Sequence, residues 1–179
     1  MMGANLGSKI DVSPVASNPF GHWEHDEIWR IQERLLIQLG REWQTSPGPL
    51  PERWLEWPET RQAQEAIRSA CLAEAGERGH LVVKDPRSTR LLPMWIELAN
   101  RLRAELKVVC VVRRPGEVAA SLLARDGMPA ELASRIWMEH YLDALTAGAP
   151  VEFFSMKIFF KIPPQRFGVL FPFAAWTVF

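Results

Sequence analysis

Lys107-Val108-Val109-Cys110-Val111-Val112-Arg113-Arg114-Pro115-Gly116-Glu117-Val118-Ala119-Ala120-Ser121 decides the reading of the fold. Lys107 to Val112 is an apolar run without alternation, the pattern of a strand covered on both faces by helices in a parallel sheet. Pro115 suits the first turn of a helix, because its missing N–H has no partner there anyway. The stretch therefore reads as a buried strand, a two-residue link and a helix reaching about Arg125.

The same grammar recurs upstream. His80-Leu81-Val82-Val83 reads as a second buried strand that ends at Lys84-Asp85-Pro86-Arg87, with a helix over Leu91–Ala104. Strand, helix, strand, helix at these lengths is the signature of βαβ units. Further helices are expected from Trp23 or Asp26 to a stop at Gly40, from about Glu59 to Ala75, and from about Pro129 to Ala147. Residues 1–22 read as loop. Residues 44–58 read as irregular, pinned to the body by the faces of Trp43, Trp54 and Trp57.

Bulk properties bound the function. Lys plus Arg and Asp plus Glu are equal at 21 each, so no global basic field points to nucleic acid, and an anion site must be built locally. No run reaches the roughly 18 apolar residues of a spanning helix, so no membrane partner is expected. Cys71 and Cys110 have no metal spacing and fit a reducing compartment, which makes the cytoplasm the expected location.

Residues 151–179 differ from the body at 1–150. They hold eight of the nine phenylalanines and a single carboxylate, Glu152, and show no clean helical or strand period. This tail has three readings: an apolar segment docked on the body, a segment touching a membrane, or residues read out of frame.

At the Arg113 joint the chemistry is that of an anion site. Ligands bind at the C-terminal edge of open α/β sheets. A helix N-terminus offers amides and a positive dipole end, and arginine adds planar charge-assisted donors. Ser121 adds a hydroxyl further along the helix. The competing reading is a plain joint whose arginines are solvated or paired with Glu117.

Arg113 and Ser121 at this separation resemble the 3′-phosphate-binding motif of sulfotransferases that use 3′-phosphoadenosine 5′-phosphosulfate. The run Leu122-Leu123-Ala124-Arg125-Asp126-Gly127, followed by Trp137 and Tyr141, is similar to the bacterial branch. So are the strand ending Lys84-Asp85-Pro86-Arg87 and the stretch Asn18-Pro19-Phe20-Gly21-His22-Trp23-Glu24-His25. Together these cover about residues 3–150. The resemblance implies an α/β fold with a parallel sheet flanked by helices, P-loop NTPase-like, whose first strand is missing from this sequence. It implies 3′-phosphoadenosine 5′-phosphosulfate as sulfuryl donor, with Arg113 and Ser121 on its 3′-phosphate. The acceptor would be a hydroxyl or amine of a small molecule or carbohydrate.

By position Glu24 matches the family's catalytic base; the alternative is a carboxylate at a helix start. Lys84 and Arg87 are candidates for cofactor contact, the alternative being an ion pair with Asp85 or a neighbouring helix. His22, His25 and Glu27 lack a further ligand group, and no metal is expected. Arg90 and His140 read as structural.

The family also carries a glycine-rich basic loop that holds the 5′-phosphosulfate, and neither Gly-x-x-x-x-Gly-Lys nor an Arg-Ser-Gly-Thr-like sequence occurs here. Two alternatives to an active transferase therefore stay open. One is a non-catalytic remnant that binds adenosine 3′-phosphate nucleotides; the other is a fragment of a kinase-like phosphotransferase.

Overall fold

The computed structural model describes residues 5–14, 21–42, 48–75, 79–155 and 174–178. The expectations for Asn18 to Phe20, for Trp43 and for residues 156–173 lie outside the described residues. In chain order the elements are β1 (Ile10–Asp11), β2 (Glu24–His25), α1 (Asp26–Gln38), a 3-10 turn (Trp54–Glu56), α2 (Pro58–Ala75), β3 (Val82–Lys84), α3 (Arg87–Arg90), α4 (Leu92–Leu102), β4 (Lys107–Val112), α5 (Pro115–Asp126), α6 (Ala130–Thr146), β5 (Val151–Ser155) and β6 (Ala174–Val178).

The fold is mixed α/β, and the expected strand–helix pairs form. The sheet is mixed rather than wholly parallel. Its order is β3-β6-β4-β5. β4 and β5 are parallel, while β6 runs antiparallel to both β3 and β4. β3 and β4 therefore point the same way, and their C-terminal ends share one sheet edge. Two pieces of the tail thus belong to the sheet of the body. At the other end of the chain, β1 and β2 form a short antiparallel pair within and just after the stretch read as loop.

Burial explains the helices. In α1, Ile28, Leu35 and Leu36 form the inward stripe, and Leu39 follows it into the core. They pack with Ile67 of α2 and with Met94, Trp95 and Leu98 of α4. Each fully buried side chain of this size contributes about 1.5–3 kcal/mol. A second cluster joins Cys110 of β4 to Val118 and Leu122 of α5 and to Ala133, Ile136 and Tyr141 of α6. Val151 packs against both clusters.

α5 stops at Gly127, whose φ of +67° is the left-handed conformation glycine adopts without strain. The Gly127 N–H donates to the Leu123 carbonyl at 2.9 Å, and the Met128 N–H donates to that of Leu122 at 3.4 Å.

Candidate functional site at the sheet edge

Gly21 and Trp23 both have positive φ, +78° and +57°, and between them they turn the chain into β2. A Cβ on Gly21 would sit 2.6 Å from the Val12 carbonyl carbon, so glycine is required there twice over, by conformation and by space. The turn sends Glu24 inward. His25, not Glu24, caps α1: its Nδ1 accepts from the Ile28 N–H at 3.4 Å. Its Nε2 faces Glu74 Oε1 at 3.6 Å. The helix-start alternative for Glu24 is thereby removed.

Glu24 instead meets the two cations from the end of β3. Lys84 Nζ lies 3.4 Å from its Oε1 and donates to the His22 carbonyl at 2.6 Å. Arg87 Nη1 donates to Glu24 Oε2 at 3.3 Å and to Asp85 Oδ1 at 2.9 Å. Arg87 Nε donates to Glu33 of α1. Residues 60 or more apart in sequence therefore meet. The ion-pair alternative is realised for Arg87, with Asp85 and with Glu33 of α1, whereas Lys84 pairs with neither Asp85 nor a helix but with Glu24 of β2.

Burial drives the electrostatics here. It lowers the Lys84 pKa, with Glu24 and Asp85 opposing. It raises that of Asp85 against the pull of Arg87. For Arg87, burial works against the charge, but Asp85, Glu33 and Glu24 outweigh it and hold the pKa above its usual value.

Arg113 occupies the link between β4 and α5 and is buried. Its backbone is held from α6. Its N–H donates to Tyr141 Oη at 3.3 Å, Tyr141 Oη donates to the Val111 carbonyl at 2.9 Å, and Trp137 Nε1 donates to the Arg113 carbonyl at 3.0 Å. Burial lowers the guanidinium pKa, with Glu117 and Tyr141 pulling back. Ser121 is half-buried on α5. The His22 carbonyl accepts from Lys84 Nζ, and the His22 ring is partly buried. Its pKa is lowered by burial first, then by the charges of Lys84, Arg125 and Arg87, with Asp11 opposing.

Arg90 is structural. It pairs with Glu139 at 3.1 Å and Asp143 at 2.6 Å and donates to the Gly48 carbonyl, tying α3 to α6. His140 is buried, with Nδ1 2.9 Å from the Ile136 carbonyl.

Sequence reasoning missed Gln32, which is fully buried within the apolar stripe of α1. Its Nε2 donates to Asp85 Oδ2 at 2.7 Å. Its Oε1 accepts from Trp95 Nε1 at 2.8 Å and from Ser88 Oγ at 3.1 Å. The available signal was its spacing: a polar residue four after Ile28 and three before Leu35, at an inward position.

A surface recess of about 410 Å³ lies elsewhere, lined by Leu55, Glu56, Arg61, Gln64, Glu97 and Arg101. Its charges are balanced and in part already paired, as in Gln64 Nε2 to Glu97 at 2.9 Å, so the chemistry rather than the recess marks the site. Among the described residues no group of His, Cys, Asp or Glu is arranged to hold a metal ion, and no helix is long and apolar enough to cross a membrane. Comparison with protein-family models, with curated proteins and with solved structures gives no match.

Proposed function

We propose that this chain is a sulfotransferase-type domain, in a P-loop NTPase-like fold, that recognises 3′-phosphoadenosine 5′-phosphosulfate through its 3′-phosphate. The observation that carries this reading is the meeting of Glu24, Lys84 and Arg87 at the sheet edge to which β4 also delivers Arg113. Lys84, at the end of β3, and Arg113, just after β4, thus follow strands that run the same way in one sheet. The Arg113 guanidinium, the dipole at the start of α5 and the Ser121 hydroxyl form a donor set suited to a phosphate dianion. Glu24 is the base: it takes the proton of an acceptor hydroxyl or amine as the acceptor bonds to sulfur. The bond from sulfur to the 5′-phosphate oxygen breaks, and 3′-phosphoadenosine 5′-phosphate leaves. The partners are this nucleotide and a small-molecule or carbohydrate acceptor.

A second reading, binding of adenosine 3′-phosphate nucleotides without transfer, is favoured by two observations. The 179 residues contain no glycine-rich basic loop, and fixed donors around the moving group carry such chemistry, the loss of one costing about a hundredfold or more. The slot between β3 and β4 is also filled by β6.

Titration with 3′-phosphoadenosine 5′-phosphate tests the shared core of both readings. It should raise the melting temperature of the wild type and raise that of Arg113→Ala much less. An equal shift in the two would remove the assignment. Sulfate transfer to phenolic, amine or carbohydrate acceptors then separates the readings: turnover supports the enzyme, and binding without turnover supports the second.

A further inference from the structure

Resting on the first of these readings, we propose that Arg87 does not touch the nucleotide but is a positioning residue for Glu24, itself fixed by Asp85 and Gln32. The geometry is a continuous polar ladder running out of the core. Trp95 of α4 and Ser88 of α3 donate to Gln32 Oε1, which fixes which way the amide faces. Its Nε2 is then aimed at Asp85 Oδ2 at 2.7 Å. The other oxygen, Asp85 Oδ1, accepts from the Arg87 backbone N–H and from Arg87 Nη1, both at 2.9 Å. Nη1 reaches on to Glu24 Oε2 at 3.3 Å, while Nε is held by Glu33.

The guanidinium plane also lies 5.3 Å over the Trp29 ring. A planar fork fixed at Nε, at Nη1 and on one face has little freedom to swing toward a phosphate. Three carboxylates already surround its single charge, so an added anion meets no uncompensated field there. What the ladder does instead is fix the donor that faces Glu24. Gln32, Asp85 and Ser88 are buried and hydrogen-bonded to one another, and Arg87 is the member of the ladder that contacts Glu24.

The test is ¹⁵N NMR of the arginine side chains, with Arg87 assigned by the signal lost in Arg87→Lys. In the wild type the Arg87 Nη protons should be resolved and slow to exchange. Asp85→Asn and Gln32→Leu should collapse them while circular dichroism reports an intact fold; unchanged Arg87 signals in both variants would overturn the ladder. Should either variant unfold, Ser88→Ala, which removes only one hydroxyl at the inner end of the ladder, should broaden the same signals, and sharp unchanged ones would count against the proposal.

Addition of 3′-phosphoadenosine 5′-phosphate should shift the Arg113 Nε–H signal and leave that of Arg87 in place. A shift of Arg87 as large as that of Arg113 would make Arg87 a nucleotide ligand and overturn the positioning role. If the nucleotide moves neither signal, the nucleotide reading fails, and the Asp85→Asn and Gln32→Leu spectra still decide whether the ladder holds Arg87.

Discussion

His140 and Gly21 show how single residues set the limits of this structure. Burial pushes the His140 pKa down to about 4 from 6.5, with the Ile136 carbonyl and Glu139 opposing and the Arg90 charge adding to it. The folded state thus favours the neutral ring. Its contribution is fully present above pH 6.5. It is lost as pH falls through 6.5 toward 4, because only the unfolded chain gains the proton. By pH 5 the loss is about 2 kcal/mol. Burial raises the Asp143 pKa to about 6, and that group acts in the opposite sense, losing stability as pH rises through the same window. The two are separated by comparing variants. His140→Leu should lose less stability than the wild type between pH 7.5 and 5 in urea titrations, and parallel curves would refute the assignment. At Gly21, substitution by alanine puts a Cβ against the Val12 backbone in a left-handed conformation. It should cost about 2 kcal/mol or more and displace Glu24 from Lys84, which thermal melts and the Lys84 ¹⁵Nζ signal would report.

At the scale of elements, β4 and α5 were legible because a buried strand and a Pro-led helix each leave a local mark. The tail strands were not. β6 (Ala-Ala-Trp-Thr-Val) is a short run that Thr177 interrupts, set in a phenylalanine-rich stretch that shows no period of its own. β1 and β2 are too short to show any period. The site divides in the same way. Arg113 was singled out from its place at a strand end, and Glu24, Lys84, Arg87 and Ser121 from the family resemblance. Asp85 was named only as an ion-pair partner, and Gln32 and Glu33 were not singled out, because a ladder across four elements is a property of packing. The join between β4 and α6 can be weighed directly. Tyr141 Oη holds both the Val111 carbonyl and the Arg113 N–H. Tyr141→Phe removes that bridge at a buried site, where such a loss costs about 1–3 kcal/mol. We expect a lower urea midpoint and, on the proposed function, weaker nucleotide binding through a less fixed Arg113. A variant matching the wild type in both would show that the bridge holds nothing.

At the scale of the whole molecule, β6 is the strand that joins the two halves of the sheet. It runs antiparallel between β3 and β4, with Val178 opposite Val82 and Lys107, and Thr177 opposite Val83 and Val108. Nothing else among the described strands connects β3 to the β4–β5 pair. In a central strand every N–H has a ladder partner, on one side or the other. In an edge strand the N–H groups alternate between the ladder and the outside, so only every second one has a partner. Proline scanning reads this difference. Trp176→Pro and Thr177→Pro should each break a ladder bond and cost several kcal/mol, a large share of the roughly 5–15 kcal/mol that holds a domain together. Both should leave β3 and β4 with open apolar edges and a tendency to aggregate. In β5, an edge strand among the described residues, neighbouring N–H groups face opposite ways. Of Glu152→Pro and Phe153→Pro, one should therefore be tolerated far better than the other. Thermal melts and light scattering on the four variants decide the matter: if both β6 prolines were as well tolerated as the better β5 proline, β6 would not be the strand that joins the sheet.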